Sequence, residues 1–440
     1  MYRQELAPTQ ENIINTFLAD PAGRSSFAVD LFQILQRFDT GISIAIDGAW
    51  GSGKTFSIKQ AKMLIDVTNE NSVLSSTLDG ERKEAVKTKL KELYPKSGSE
   101  IIPQIAVYYD AWANDNSEEP VLSIIYEVLR SLNYSEEIYD EKLNIFHVVS
   151  DIADTVLGSK FLFNTHFREL SSDLQKESLF KSIQKEKSLE EKIRELFASL
   201  LIERAERLVI FVDELDRCRP DYAIRLLERI KHYFSCDRVS FVFIMNGTEL
   251  KKSIRHVYAS DFDADLYLER FFDLIIPNPD YNAGGIVKYM WNMVSKDDYR
   301  YEQDTIVIKF IKAYHLQMRQ IAKFIQRVEE TSVKNIRQLP PDRTPSGIGI
   351  RAISLYIPTI GEGLKIINKE LYEQYMQGKN ADPLLKVLVE TDPDYASFLQ
   401  ERFGGPGCKI PIEDMLLYMY DRAFNNTPPR GQRPTGHISF

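Results

Sequence analysis

The stretch Ile42–Ile58, ISIAIDGAWGSGKTFSI, constrains this chain more than any other. It carries G-x-x-x-x-G-K-[ST] as Gly48, Gly53, Lys54 and Thr55, with an apolar run, Ile42–Ile46, in front and a helix-compatible run, Thr55–Val67, behind. Strand, glycine-rich loop and helix in that order predict a loop that wraps phosphate. Glycines let the backbone approach closely, successive N–H groups point inward, and the helix N-terminus faces the anion. Lys54 is placed to reach the β- and γ-phosphates, and Thr55 to set its hydroxyl on Mg2+. The candidate nucleotide contacts are Gly48, Trp50, Gly51, Ser52, Gly53, Lys54, Thr55 and Phe56. The expected ligand is ATP rather than GTP, since no Asn-Lys-x-Asp guanine motif appears.

With 440 residues, 43% hydrophobic and 27% charged, the chain has room for two or three domains and an ordinary soluble core. A net charge of −9 gives no global argument for nucleic acid or an anionic membrane, and leaves a local basic surface open. The three cysteines, Cys218, Cys236 and Cys408, are odd in number and lack metal-ligand spacing, so reduced thiols are expected. The N-terminal residues lack a secretory pattern, and no run approaches 18 apolar residues. A cytoplasmic protein without membrane insertion is expected.

Further apolar runs predict four more strands: Ile101–Tyr109, Arg207–Val212, Val239–Met245 and Leu274–Ile276. RLVIFV is unbroken and rich in β-branched residues, as suits a central strand buried on both faces. Helices are expected from about Glu11, over Phe27–Phe38 with Asp20–Gly23 as the break, through the charged segment after Asp79, over Val121–Leu132, and over Lys176–Leu201. From Gly284 the pattern is helical, broken at Gln338–Gly349. The expected fold is α/β: a P-loop NTPase with a parallel sheet flanked by helices, a long helical insertion and a C-terminal helical domain. The boundaries read as a core over 1–280 with an insertion at about 115–205, then a lid-like helical domain over 281–440 with a flexible tail at 427–440.

In RLVIFVDELDRCRP, acidic residues follow the strand, at the carboxyl end where ligands bind in parallel sheets. Asp213 is placed to hold Mg2+ and Glu214 to take a proton from the attacking water, with Asp216 the rival for either role. The plainer alternative is that the two acids end the strand and cap the next helix. Asn246, after VSFVFIM, is placed to orient that water, or is a turn residue before Gly247. Arg270 stands just before the last strand, in a place similar to that of an arginine which in AAA+ NTPases completes a neighbouring subunit's site; the resemblance implies that role, and a surface ion pair with Glu269 or Asp273 is the alternative. Arg319, with Lys323 one turn on, reads as a γ-phosphate sensor or a solvated helix face. Trp112 in YYDAWAND is expected in the core, with Asp110 and Asn114 beside it as supports for the Asp213 and Glu214 carboxylates. Six scattered histidines offer neither a metal cluster nor a Ser/His/Asp set.

Over about residues 18–330 the chain resembles the KAP family of P-loop NTPases. The resemblance is carried by DPAGRSSFAVDLFQIL, IDGAWGSGKT, YYDAWAND, VDELDRCRP, YLERFFD and QMRQIAKFI, in that order. Glu214 stands where a second Asp is usual, and Arg270 where Lys is common. Many members carry transmembrane helices between the two acidic and glycine-rich elements; here the interval from Lys54 to Asp213 is polar and helical. The resemblance implies ATP hydrolysis coupled to assembly or signalling, as a homo-oligomer, and its bacterial members imply anti-phage defence with an effector such as a nuclease. An ATP-gated scaffold with little turnover is the alternative. A kinase is a weaker third reading, disfavoured because an Asp-Glu pair suits water as acceptor.

Overall fold

The computed structural model describes residues 7–95, 101–132, 148–153, 189–202, 204–234, 238–294, 301–335, 345–404 and 409–424. These fall into two compact units: a core unit of Pro8–Ala19 with Arg24–Pro279, and a C-terminal unit of Asp20–Gly23 with the residues from Asp280 onward.

The core unit opens with α1 (Gln10–Ala19) and α2 (Ser25–Arg37), then β1 (Ser43–Asp47) and α3 (Lys54–Thr68). The short α4 (Val73–Thr77) and the charged α5 (Gly80–Leu93) lead to β2 (Gln104–Asp110) and α6 (Pro120–Ser131). Residues 148–153 and 189–201 are helical. The unit continues with β3 (Arg207–Asp213), a 3-10 turn (Leu215–Arg217), α7 (Pro220–Tyr233), β4 (Val239–Met245), α8 (Gly247–Val257), α9 (Ala264–Leu268) and β5 (Leu274–Pro277).

All five strands are parallel, in the order β2-β3-β4-β1-β5. Alternation along each strand divides the core into two layers. Ile44, Ile46, Val209, Phe211, Val242 and Ile244 face α1–α3 and α5. Ala45, Ile210, Val212, Phe241, Phe243 and Met245 face α6–α9 and residues 189–201. Covering both faces is what an all-parallel sheet requires, and it explains the unbroken apolar runs of β3 and β4. The fold is thus the expected P-loop arrangement. The expected helix over 176–201 is described only from residue 189, and the proposed flexible tail, Cys236 and Cys408 lie outside the described residues.

The C-terminal unit is helical: α10 (Ala283–Val294), α11 (Tyr301–Tyr314), α12 (Met318–Asn335), α13 (Pro345–Ile367), α14 (Lys369–Met376), α15 (Asp382–Leu385), α16 (Pro393–Gly404) and α17 (Ile412–Ala423). It has its own core around Phe310, Phe324, Tyr356, Leu364 and Leu416. Helix α13 begins at Pro345, so Pro345–Gly349, expected as part of a break, is helical. Proline is compatible with a first helical position because it lacks only an N–H that has no helical partner there. No helix among the described residues is long and apolar enough to cross a membrane.

Candidate nucleotide site

The loop between β1 and α3 is shaped by glycine and by buried tethers. Gly53 caps α3 at φ 90°, in the left-handed region. A Cβ on Gly48 would lie 2.9 Å from the Asn278 Cβ, so only glycine fits there. Asn278 donates to the Ser52 carbonyl at 3.3 Å and to its hydroxyl at 3.2 Å. Buried Arg24 donates to the same carbonyl at 2.5 Å and also to the Pro279 carbonyl. The loop is therefore held from outside by groups that follow α1 and β5. Gly48 N donates to Met245 O at 3.1 Å, tying it to the neighbouring strand.

Lys54 folds over its own loop, its Nζ donating to Gly48 O at 2.5 Å and Ala49 O at 3.0 Å. Burial lowers its pKa, opposed by Asp216, Asp213, Glu214 and Asp47. A bound phosphate offers the same ammonium stronger, charged acceptors than two carbonyls. Phe56 is partly buried and packs against the core beneath the loop. Trp50 is half exposed and its indole N–H donates to Asp216.

The register of β3 brings its carboxylate to this loop. Thr55 Oγ1 donates to Asp213 Oδ2 at 2.8 Å, and Tyr108 OH donates to the same oxygen at 2.9 Å. Glu214 N donates to Asp213 Oδ1 at 2.8 Å. Burial pushes the Asp213 carboxyl up, against these three hydrogen bonds. A hydroxyl and a carboxylate side by side, with phosphate and water oxygens as the remaining ligands, are the donors a hard divalent cation takes. The residues fit Mg2+.

Glu214 has left-handed backbone at φ 60° and ψ 26°. Its carboxyl is pushed up to about 7, first by burial and then by Asp213, while Arg217 pulls it down. Arg217 Nε donates to Glu214 Oε2 at 2.7 Å. Neither acid caps α7, whose N-terminal flank is Arg219 with Pro220 following.

Asn246 lies at the end of β4, beside β1, and accepts from Glu249 N at 3.4 Å as the N-cap of α8. Next to it, Asp47 accepts from Gly247 N at 2.8 Å. Arg270 is exposed, in the turn before β5, and makes no ion pair among the described residues. Asp273 instead accepts from Ser43 N at 2.8 Å. Arg319 and Lys323 are exposed on α12 of the C-terminal unit.

Trp112 corrects an expectation: it is 53% exposed rather than core, and the Arg217 guanidinium lies over its ring at 5.6 Å. Asp110 closes its own turn by accepting from Ala113 N at 2.9 Å. Tyr108, Arg24, Asn278, Asp47 and Arg217 are site residues that the sequence reading did not single out. The Tyr108 side chain could have been placed from strand alternation, but its bond to Asp213 depends on the β2–β3 register, which pairs Tyr108 with Phe211 and Asp110 with Asp213.

The family profile described as "KAP family P-loop domain" matches residues 24–334. A comparison with curated proteins finds no match. Among solved structures, "Structure of the Aeropyrum Pernix ORC2 protein (ADPNP-ADP complexes)" is similar over 91% of this chain and 94% of that one, at 13% identity and a TM-score of 0.35. That likeness is too slight to argue from. The family match covers well over half of the chain and contains every element of the site, so the chain belongs to the KAP family of P-loop NTPases.

Proposed function

We propose that this chain is a Mg2+-dependent ATPase that releases ADP and phosphate, and that turnover drives or resets an assembly. The observation that carries the reading is the meeting of Thr55, Asp213 and Glu214 beside Lys54 at the carboxyl end of the sheet. Lys54 and the loop amides bind the phosphates. Thr55 and Asp213 hold Mg2+, which when bound offsets charge on the transferring phosphoryl oxygens. Glu214 takes the proton of the attacking water. Asn246 orients that water through an amide group that donates to no described residue. Arg270, exposed and without an ion-pair partner among the described residues, serves the site of a second copy in a homo-oligomer. Arg319 reports loss of the γ-phosphate. An effector partner, such as a nuclease, and a role in anti-phage defence rest on family resemblance alone.

A nucleotide-gated scaffold with little turnover is the second reading, favoured by the Glu214–Arg217 ion pair, which occupies the base. Phosphate release from Mg2+-ATP is the test, on wild type and Lys54→Ala, with the mass in solution determined in the same buffer. Release from a multi-subunit species that vanishes in the variant supports the ATPase. Release that survives Lys54→Ala sinks it. Tight ATP retention with no release favours the scaffold.

A further inference from the structure

The 3-10 turn after β3 reaches in two directions. Asp216 accepts from the indole of Trp50, in the phosphate loop. Arg217, the next residue, points to the other side. Its Nε holds Glu214 Oε2 at 2.7 Å, and its guanidinium carbon lies 5.6 Å from the centroid of the Trp112 ring. Trp112 follows β2, an edge strand, which is separated from the phosphate-loop strand β1 by both β3 and β4. The indole is carried on a fixed backbone. Ala111 N donates to Asp213 O at 3.0 Å, and Ala113 N to Asp110 Oδ1 at 2.9 Å. A large aromatic left 53% exposed contributes little to the core, so its contact with Arg217 is the interaction it has to offer here.

We propose that Arg217 and Trp112 are positioning residues that draw the Glu214 carboxylate toward β2, away from the phosphate loop, so that water activation requires Arg217 to let go. The inference rests on the ATPase reading above and adds a restraint on its base. The physical argument is competition for one carboxylate. A guanidinium donating at 2.7 Å holds one of the two carboxylate oxygens and, by favouring the ionised form, makes the carboxylate a weaker base toward an attacking water. The ring beneath holds the cation over it. The same turn is tied to the phosphate loop through Asp216 and Trp50, so rearrangement of that loop around nucleotide acts on the element that carries Arg217.

The test is steady-state phosphate release over a range of ATP concentrations for wild type, Arg217→Ala, Arg217→Lys, Trp112→Ala, the Arg217→Ala/Trp112→Ala double variant, and Glu214→Gln alone and with Arg217→Ala. The expected result is a rise in kcat of about three- to tenfold for Arg217→Ala, the scale on which a half-exposed ion pair shifts a barrier, with KM for ATP unchanged. Trp112→Ala rises in the same direction, Arg217→Lys falls between, and the double variant is no faster than Arg217→Ala. A merely structural arginine would not raise kcat when removed. Trp112→Ala carries the test if Arg217→Ala does not fold, because its side chain is mostly exposed. A kcat that falls or stays level in both single variants, while Glu214→Gln still stops release, overturns the restraint and leaves the ATPase standing. Release that ignores Glu214→Gln, or none from any variant that binds ATP, overturns the ATPase reading and the restraint with it.

Discussion

Glu214 has a side chain at a backbone conformation that disfavours one. Its φ of 60° places the Cβ against the following carbonyl, which costs roughly 1–2 kcal/mol for a residue other than glycine. The conformation persists because the Asp213 carboxylate accepts the Glu214 N–H and Arg217 closes the turn. Strain held in place by surrounding bonds is characteristic of functional positions. Comparing Glu214→Gly with Glu214→Ala isolates it, since both lose the carboxylate and the ion pair. The glycine variant should be the more stable by about 1 kcal/mol in denaturant unfolding, with phosphate release lost in both. Equal stability would mean that the backbone relaxes once the side chain is cut. The carboxylate itself was legible in the sequence, because an acid directly after a buried apolar run marks a strand's carboxyl end. The strain was not, since nothing in VDELDRC announces a left-handed residue.

Among the elements, the strands were the most legible. Arg207–Asp213 and Val239–Met245 have no polar residue to confuse the pattern beyond their ends and Ser240, and both are central and covered on two faces. Asp20–Gly23 was legible as a break between α1 and α2, and Asp20 has positive φ there. What stayed hidden depends on contacts far apart in sequence. Tyr108 meets Asp213 only through strand register, and Arg24 and Asn278 meet at Ser52 only once β5 lies beside β1. Trp112 was misread because aromatic residues beside a strand usually pack inward.

In the C-terminal unit, buried Lys309 donates to Asp392 at 2.6 Å and lies 4.0 Å from the Tyr395 ring centroid. The Lys309 hydrogen bond, with the Tyr395 N–H, holds the Asp392 carboxyl below its usual range. A folded-state pKa below the unfolded value contributes stability above the unfolded value and loses it as pH falls through the folded one. Asp392→Asn keeps the cap to Tyr395 N but removes the charge. The variant should be less stable than wild type by about 1 kcal/mol at pH 7, a value discounted because the carboxylate is partly exposed. As the pH falls below that depressed folded-state value the two should converge. A difference that persists in acid would assign the effect to packing rather than charge.

For the whole molecule, β1 occupies a special place. It carries the phosphate loop, it is the first strand made, and both of its neighbours are the last two: Ser43 pairs with Phe241, and Ile44 with Leu274. No hairpin links any pair, so no part of the sheet forms from local contacts, and such topologies fold slowly. During synthesis, β1 emerges about 200 residues before the two strands that flank it. A chain ending at Tyr233 contains the whole glycine-rich loop and the Asp213–Glu214 pair yet lacks β4 and β5. It should not retain nucleotide, and its exposed apolar strands should bring it down with chaperones or as aggregate, whereas a chain ending after Pro279 should bind. The ribosome therefore releases this protein's defining motif long before the motif can function, and the interval in between is a period of dependence on cellular folding help.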